Sequence, residues 1–217
     1  MKTESAMTDT EIKHVFFDLG GVLVDLDGER CVQAFRALGM PRVAELINPC
    51  YPAEMIGRLE KGEIGFGEAC EQMRRLDGRP DVEDGQIAAA YAAFLTDVPV
   101  AKLRFIEALR RRGVRTYVLS NNNPVSMEVI RRMFRADGHA MSYYFDRIYL
   151  SYELGELKPS PAIFRRVLAD SGADPAQSLF IDDGRKNVDA ARELGFQVYM
   201  PAPNEDFTPL FGFLAGA

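Results

Sequence analysis

The sequence predicts an α/β fold: a parallel, doubly wound, Rossmann-like sheet with an all-helical cap inserted after its first strand. Two observations lead to this prediction. Five short apolar runs have the length and composition of buried strands, and helical patterns separate the last four of them. Alternation of strand and helix is typical of parallel sheets with right-handed crossovers.

Turn residues mark the ends of the predicted strands and helices. The strands span residues 14–17, 115–119, 146–150, 178–181 and 196–200, and the helices span residues 100–112, 124–136, 159–170 and 185–194. Each helical pattern ends close to a glycine, which suits the left-handed residue that closes many helices. Two of the patterns begin beside a proline, which suits the first helical turn.

The segment 28–96 breaks this alternation. It has helical patterns at residues 30–38, 52–59, 66–76 and 82–95, and we expect no strand between Asp27 and Val114. We therefore predict a core formed by residues 14–27 and 97–217, and a helical cap formed by residues 28–96. Residues 1–13 form a polar tail, and the residues from Pro201 onward are expected to pack back on the core without chemistry of their own.

Composition excludes several classes of function. The 217 residues are 47% hydrophobic and 27% charged, and no apolar run approaches the roughly 18 residues that cross a membrane. The polar start lacks the apolar stretch of a signal peptide, so a cytoplasmic protein is expected. The net charge of −6 offers no basic field to nucleic acid. Cys31, Cys50 and Cys70 match no zinc or redox spacing and are interpreted as packing residues.

Chemically distinctive residues follow the predicted strands at the edge where open α/β sheets bind ligands. In chain order they are Asp18 with Gly20 and Gly21, Ser120 with Asn121 and Asn122, Lys158 at a helix start, and Asp182 and Asp183 with Asn187 one turn later. They supply a carboxylate nucleophile, donors for phosphate oxygens, an ammonium group, and oxygen ligands for a hard cation such as Mg²⁺. Each residue alone is ordinary turn or capping chemistry. Their order along one edge, with a different role for each, favours an active site.

At these residues the chain resembles the haloacid dehalogenase superfamily. Residues 15–25 are similar to its first motif, 118–121 to the second, Lys158-Pro159 to the third and 180–184 to the fourth, and the helical insertion stands in the place of that family's first-position cap. The resemblance is strongest to a bacterial branch that contains sugar-phosphate phosphatases, such as those acting on α-glucose 1-phosphate. That branch shares the glycine two residues after the nucleophile and a cap stretch similar to residues 59–64.

The resemblance implies a Mg²⁺-dependent phosphatase that hydrolyses a small phosphate ester, such as a sugar phosphate, through an aspartyl-phosphate on Asp18. Mg²⁺ would take an oxygen of Asp18, the backbone carbonyl of Gly20 and the carboxylate of Asp183. Asp182 would bind the metal directly or through water. The expected partner is a small phosphorylated metabolite.

The remaining site residues take supporting roles by the same resemblance. Ser120 and Asn121 would bind phosphate oxygens, and Lys158 would steady both the nucleophile and the phosphate. The same resemblance assigns Gly20, Gly21 and Asn122 to substrate binding. It assigns Asn187 and Asp25 to the residues that support the metal site.

The chain departs from the superfamily at Gly20, because most of its phosphatases have a second aspartate there as general acid and base. Loss of such a group typically costs about 10²- to 10⁴-fold in rate. Asp25 and Asp27 are candidate substitutes, although an aspartate after this motif more often holds the loop or the cap hinge. Without a substitute, rates should fall steeply as the leaving alcohol becomes more basic.

Specificity is expected to lie in the cap, since it closes over the site and excludes water. Arg58, Glu60 and Lys61 could reach the cleft, but we favour their interpretation as a solvated helix face.

Two alternative functions are open. One is a 2-haloacid dehalogenase, since those enzymes also lack the aspartate two residues after the nucleophile. They need no magnesium, which would leave Asp182 and Asp183 as an unpaired acidic pair near an anionic substrate. The other is a weakly active or non-catalytic domain that retains the phosphate site.

Overall fold

A five-stranded parallel sheet forms the centre of the protein. The structure is a computed structural model that describes residues 11–47, 54–136 and 139–215. The strands are β1 (His14–Phe17), β2 (Asp25–Leu26), β3 (Leu95–Asp97), β4 (Arg115–Ser120), β5 (Arg147–Leu150), β6 (Ser178–Ile181) and β7 (Gln197–Tyr199). The sheet has the order β5-β4-β1-β6-β7, and all of its pairings are parallel. The five predicted strands are therefore confirmed, each end within one residue.

Helices connect these strands. They are α1 (Gly28–Ala37), α2 (Pro41–Leu46), α3 (Glu54–Glu60), α4 (Phe66–Asp77), α5 (Asp84–Ala92), α6 (Val100–Arg111), α7 (Pro124–Ala136), α8 (Met141–Tyr144), α9 (Ser151–Leu154), α10 (Pro161–Ser171), α11 (Arg185–Glu193) and α12 (Gly212–Ala215). The four predicted core helices correspond to α6, α7, α10 and α11. Within the described residues, no helix has both the length and the apolar character that a membrane span requires.

Both faces of the sheet are buried under helices. Alternate residues of a strand point to opposite faces, and in β1 Val15 and Phe17 join the apolar cluster that contains α6 and α7. Phe16 joins the cluster on the other face, with residues of α10 and α11. The doubly wound α/β class predicted from the sequence is thus confirmed.

Between β2 and β3, the part of the chain that the structure describes forms five helices, α1 to α5. It has an apolar cluster of its own, which includes Cys31, Phe35, Cys70 and Met73. Cys31 and Cys70 are buried free thiols, as expected of packing residues, whereas Cys50 lies outside the described residues. The short helix α2 has no counterpart among the predicted patterns, and the pattern at residues 52–59 lies partly outside the described residues.

Two short antiparallel strands join the helical segment to the sheet, and one of them corrects the expectation that no strand lies between Asp27 and Val114. β2 pairs with β3, and both are shorter than the 4–8 residues over which an alternating pattern can be recognised. Buried Lys102, on α6, places its Nζ 2.8 Å from Asp25 Oδ1 in β2. Thr96 Oγ1 of β3 donates to the carbonyl of Asp25 at 2.8 Å. The junction is therefore held by an ion pair as well as by strand pairing.

The C-terminal segment packs on the core, as expected, and also holds the loop after β1. Phe207 and Phe211 are buried in the same cluster as α6 and α7. Asn204 donates its backbone N–H to Gly21 O at 2.8 Å, and its side chain bonds both the N–H and the carbonyl of Leu26. The loop between β1 and β2 is thus fixed from the far end of the chain.

Candidate active site

Asp18 lies at the carboxyl end of β1, where two donors fix its carboxylate. The backbone N–H of Leu19 donates to Oδ1 at 2.7 Å, and Nζ of Lys158 lies 2.9 Å from Oδ2. The amides of Leu23 and Val24 both donate to the carbonyl of Leu19 at 2.8 Å, so the chain turns tightly after the strand. The Asp18 side chain is 14% exposed, which leaves it open to a ligand from one side.

Lys158 is the cation at the centre of the site. Its side chain is 0% exposed, and its ammonium contacts three oxygens: Asp18 Oδ2 at 2.9 Å, Asp182 Oδ2 at 2.6 Å and Leu119 O at 2.9 Å. Burial acts to lower the pKa of Lys158, but the charges of Asp18 and Asp182 outweigh it and raise that pKa. Lys158 is therefore positively charged, and each of its three protons has an acceptor.

Asn121 holds Lys158 in this position. Its Oδ1 accepts from the backbone N–H of Lys158 at 2.8 Å, and its Nδ2 donates to the carbonyl of the same residue at 2.9 Å. The structure thus brings Asn121 to the site and bonds its side chain to the Lys158 backbone, and phosphate binding by Asn121 stays a prediction. Ser120, at the end of β4, is buried and donates its hydroxyl to Asn121 O at 3.3 Å.

Asp182 is saturated by protein donors. Its side chain is 0% exposed, and its two oxygens accept four hydrogen bonds, from Gly184 N, from Lys158 Nζ and twice from Asn187 Nδ2. A carboxylate has about four acceptor positions, so little capacity remains on Asp182. Asn187 orients Asp182, in line with the sequence analysis. Among the described residues, the neighbouring Asp183 carboxylate receives no side-chain hydrogen bond, which leaves it open to a cation.

Asp18, Asp182 and Asp183 form the carboxylate cluster. Each offers an oxygen, and these atoms all lie within 4.8 Å of one another. Burial is the main cause that raises the pKa of Asp18 and of Asp183, and the charges of the neighbouring aspartates act in the same direction. Three carboxylates therefore share one lysine, and the excess of negative charge fits an oxygen-preferring divalent cation.

The two glycines after Asp18 allow this close packing. Gly21 has φ +72, and a Cβ there would lie closer than 3.0 Å to Asp183 Oδ2. Any other residue would therefore strain the backbone and displace the Asp183 carboxylate. A Cβ at Gly20 would lie 3.2 Å from the Leu26 side chain.

The end of α3 rests on the loop that follows β4 and on α9, the short helix that follows β5. Ser151 donates its hydroxyl to the carbonyl of Glu60 at 2.5 Å, and it accepts from the backbone N–H of Asn122 at 2.9 Å. A Cβ at Gly62 would clash with the carbonyl of Tyr152, so the two backbones are in close contact. The backbone N–H of Asn122 thus supports the docking of α3 on the core, and the assignment of Asn122 to substrate binding stays a prediction.

The interpretation of Arg58, Glu60 and Lys61 as a solvated helix face is wrong for Glu60. Arg58 and Lys61 have side chains 41% and 39% exposed and both pair with Glu63, as expected of surface residues. Glu60 is partly buried, and burial raises the pKa of its carboxyl to about 7. The local sequence gives no signal of this burial, which results from the docking of α3 and Gly62 on the core.

The two loop aspartates lie outside the carboxylate cluster. Asp25, predicted to support the metal site, pairs with Lys102 at the junction of the two segments. Asp27 accepts from the backbone N–H of Glu29 at 3.1 Å and caps α1. Both therefore hold the hinge, which is the role that the sequence analysis favoured over a catalytic one.

Comparison with known proteins agrees with this geometry. The family model described as haloacid dehalogenase-like hydrolase matches residues 12–195. A D-ribitol-5-phosphate phosphatase of Bacteroides thetaiotaomicron is 35% identical over 197 residues, which cover 90% of this chain and 95% of the relative.

Two solved structures share the whole fold. A HAD family enzyme of Bacteroides thetaiotaomicron, solved as a mutant with magnesium and inorganic phosphate, has a TM-score of 0.87 and 36% identity, and the match covers 92% of this chain and 98% of that one. A predicted HAD-like hydrolase of Porphyromonas gingivalis has a TM-score of 0.85 and 33% identity, with 94% and 97% covered. The four motifs lie at one edge of a parallel sheet, the family model matches most of the sequence, and relatives share more than 30% identity with the chain. The chain therefore belongs to the haloacid dehalogenase-like hydrolase family.

Proposed function

We propose that the chain is a Mg²⁺-dependent phosphatase that hydrolyses a small phosphate ester through a covalent intermediate on Asp18. The observation that carries the proposal is the position of Asp18. It lies between a fully buried lysine and an acidic pair, at the carboxyl end of the central strand of the sheet.

Mg²⁺ fits the carboxylate cluster because the donors are all oxygens and their charge exceeds that of Lys158. Asp18 and Asp183 would hold the ion, with the carbonyl of Gly20 as the third protein ligand named from the resemblance. The hydrogen bonds on Asp182 support an indirect role for that residue, through water. When bound, the ion neutralises charge on the transferring phosphoryl group.

Each side chain then has a task in phosphoryl transfer. Asp18 attacks phosphorus with one carboxylate oxygen, and the ester oxygen leaves as the P–O bond breaks. Lys158 orients the Asp18 carboxylate, and its charge opposes the rise that burial causes in the pKa of Asp18. Asn121 holds the backbone of Lys158 in place. Ser120 lies beside them and would bind a phosphate oxygen. Water then attacks phosphorus, releases inorganic phosphate and restores the Asp18 carboxylate.

A sugar or polyol phosphate is the substrate class that the comparisons support, since the curated relative is named for D-ribitol 5-phosphate. We propose that the substrate binds between a core of residues 14–27 and 97–217 and a cap of residues 28–96, with β3 completing the hinge at their boundary. A cytoplasmic location and a small phosphorylated metabolite as the partner form part of the same proposal.

The experiment is a hydrolysis screen of sugar, polyol and aryl phosphates, with Mg²⁺ and with a chelator. We expect phosphate release that requires Mg²⁺, and a phosphoenzyme that can be trapped by acid quench and located at Asp18 by mass spectrometry. The absence of turnover on every ester would refute the proposed phosphatase and favour a binding domain. Chloride release from a 2-haloacid without Mg²⁺ would favour the dehalogenase alternative.

A further inference from the structure

Phosphate ester hydrolysis needs a proton at two points, and the loop after Asp18 supplies none. The leaving oxygen must be protonated when the ester is cleaved, and the attacking water must lose a proton when the intermediate is hydrolysed. Position 20 is glycine. If the proposed function holds, on which this inference rests, another group must carry this proton.

The two nearest aspartates in sequence are engaged elsewhere. Asp25 forms an ion pair with buried Lys102 at 2.8 Å, and its removal would leave that lysine without its partner. Asp27 caps α1 through the N–H of Glu29 and is exposed. Neither carboxylate is free to face the nucleophile.

Glu60 comes from the helical segment between β2 and β3. It is the last residue of α3, and its carbonyl accepts the Ser151 hydroxyl at 2.5 Å. Ser151 also accepts from Asn122, in the loop that begins at the end of β4. Leu59 is buried on one side of Glu60, and Gly62 contacts the core backbone on the other. The backbone of Glu60 is thus fixed at the edge of the sheet where Asp18 lies.

The charges that act on Glu60 are those of the active site. After burial, the negative charge of Asp18 is the next cause that raises the pKa of Glu60, and the Lys158 ammonium opposes it. The hydroxyl of Tyr91 lies at the loop after β4, where it accepts from Asn123 Nδ2 at 3.2 Å, and the charge of Glu60 adds to burial in raising the pKa of Tyr91. Among the described residues, no hydrogen-bond donor or cation pairs with the Glu60 carboxyl. Glu60 is thus a partly buried carboxyl group whose backbone is held at this edge of the sheet, and it is available for proton transfer because it has no structural partner there.

We propose that Glu60 is the general acid and base of the reaction, supplied by the cap in place of the missing side chain at position 20. In the first step the Glu60 carboxylic acid gives its proton to the leaving oxygen, while Asp18 forms the new bond to phosphorus. The products are the free alcohol, the aspartyl-phosphate and the Glu60 carboxylate. In the second step that carboxylate takes a proton from the attacking water, and inorganic phosphate leaves as Asp18 is regenerated.

The arrangement makes catalysis depend on closure of the cap. A cap that is lifted from Ser151 would carry the proton donor away from the site. The enzyme would then bind phosphate in the open state but cleave esters only in the closed state.

The test compares Glu60→Gln with Glu63→Gln, which removes a carboxylate three residues away in the same turn. A series of phosphate esters with alcohols of increasing basicity is measured with Mg²⁺. In the unmodified protein and in Glu63→Gln we expect a shallow dependence on the leaving group. In Glu60→Gln we expect kcat/KM for alkyl phosphates to fall by about 10²- to 10⁴-fold, with a much smaller loss for aryl phosphates with acidic phenols. In the unmodified protein we expect activity to fall at alkaline pH, and in Glu60→Gln, which lacks the carboxyl group, this fall should disappear.

Pre-steady-state kinetics gives an independent readout. Glu60→Gln should release a burst of phenol from an aryl phosphate and accumulate phosphoenzyme, because hydrolysis of the intermediate loses its base. Glu60→Asp, which keeps the carboxyl group, should restore part of the alkyl phosphate activity and so separate chemistry from folding. If the unmodified protein turns over while Glu60→Gln shows the same leaving-group dependence as Glu63→Gln, the role of Glu60 is refuted and the proposed function stands. If the unmodified protein hydrolyses no ester, both are refuted.

Discussion

Replacing Gly21 by alanine should weaken Mg²⁺ binding, and Gly78 provides a matched control. Gly21 and Gly78 have similar backbone angles, φ +72 and φ +65. Alanine at either position costs about 1–2 kcal/mol of stability, because an L-residue is strained in the left-handed region. Only at Gly21 does the new Cβ reach Asp183 Oδ2; nothing lies within 4 Å of a Cβ at Gly78. The two variants therefore share the cost of backbone strain, but only Gly21→Ala disturbs the Asp183 carboxylate.

The expected magnitude follows from the displacement of Asp183. Disturbing the groups that position a metal ligand typically costs about 10- to 100-fold in affinity. At a Mg²⁺ concentration 100 times the dissociation constant, the ion stabilises the unmodified protein by about 2.7 kcal/mol. At the same concentration Gly21→Ala would gain only about 0.4–1.4 kcal/mol. For a domain of this size 1 kcal/mol shifts the melting temperature by roughly 2–4 °C, so the difference is measurable.

Thermal unfolding with and without Mg²⁺, together with calorimetric titration, tests this reasoning. Gly21→Ala and Gly78→Ala should both melt earlier than the unmodified protein in chelator, and only Gly21→Ala should show a reduced gain in melting temperature when Mg²⁺ is added. Equal Mg²⁺ affinity in the two variants would show that Asp183 does not hold the metal from the position described.

Three further outcomes are expected. Asp18→Asn should abolish hydrolysis and phosphoenzyme formation while the circular dichroism spectrum is unchanged, because the amide keeps the shape of the nucleophile; residual turnover would exclude the covalent route. In a metal titration, Asp183→Ala should weaken Mg²⁺ binding more than Asp182→Ala does. Asp182→Ala should lose more stability, about 3–5 kcal/mol, because it removes a carboxylate from buried Lys158. If Asp182→Ala had the larger effect on Mg²⁺ binding and Asp183→Ala the larger effect on stability, the two roles would be reversed. The pKa of Glu60 is raised from 4.5 to about 7 on folding, so its contribution to stability is complete below pH 4.5 and is lost as the pH rises through 7. The melting temperature of the metal-free protein should therefore fall over this interval, and Glu60→Gln should make that fall less steep. An identical pH profile of the melting temperature in the variant would contradict the shift.

Local patterns were sufficient to predict the sheet. The buried strands are continuous apolar runs, and glycines with positive φ at positions 113, 172 and 195 follow the helices as expected, whereas Gly138 lies outside the described residues. Since the carboxyl ends of parallel strands meet at one edge, the order of motifs along the chain also predicted that Asp18, Lys158 and the Asp182-Asp183 pair would converge.

Roles that depend on distant partners could not be predicted in this way. Asn121 bonds the backbone of Lys158, 37 positions later, and nothing in either local sequence indicates this pairing. Asp25 meets Lys102 across the whole cap. Glu60 has the local pattern of a surface helix, and only the docking of α3 on Ser151 shows that it faces the core. The short strands β2 and β3 escaped prediction because two or three residues cannot display an alternating pattern.

The charge of the carboxylate cluster has a consequence for the order of events. Asp18, Asp182 and Asp183 together with Lys158 leave an excess of two negative charges when all are ionised. A phosphate dianion approaching this edge of the sheet is repelled until a divalent cation has entered, and at close range in a partly buried site this repulsion is several-fold stronger than in bulk water. For the proposed phosphatase we therefore expect the cation to bind first and the ester second. We also expect phosphate, as the last product, to leave a site that retains its cation for the next turnover.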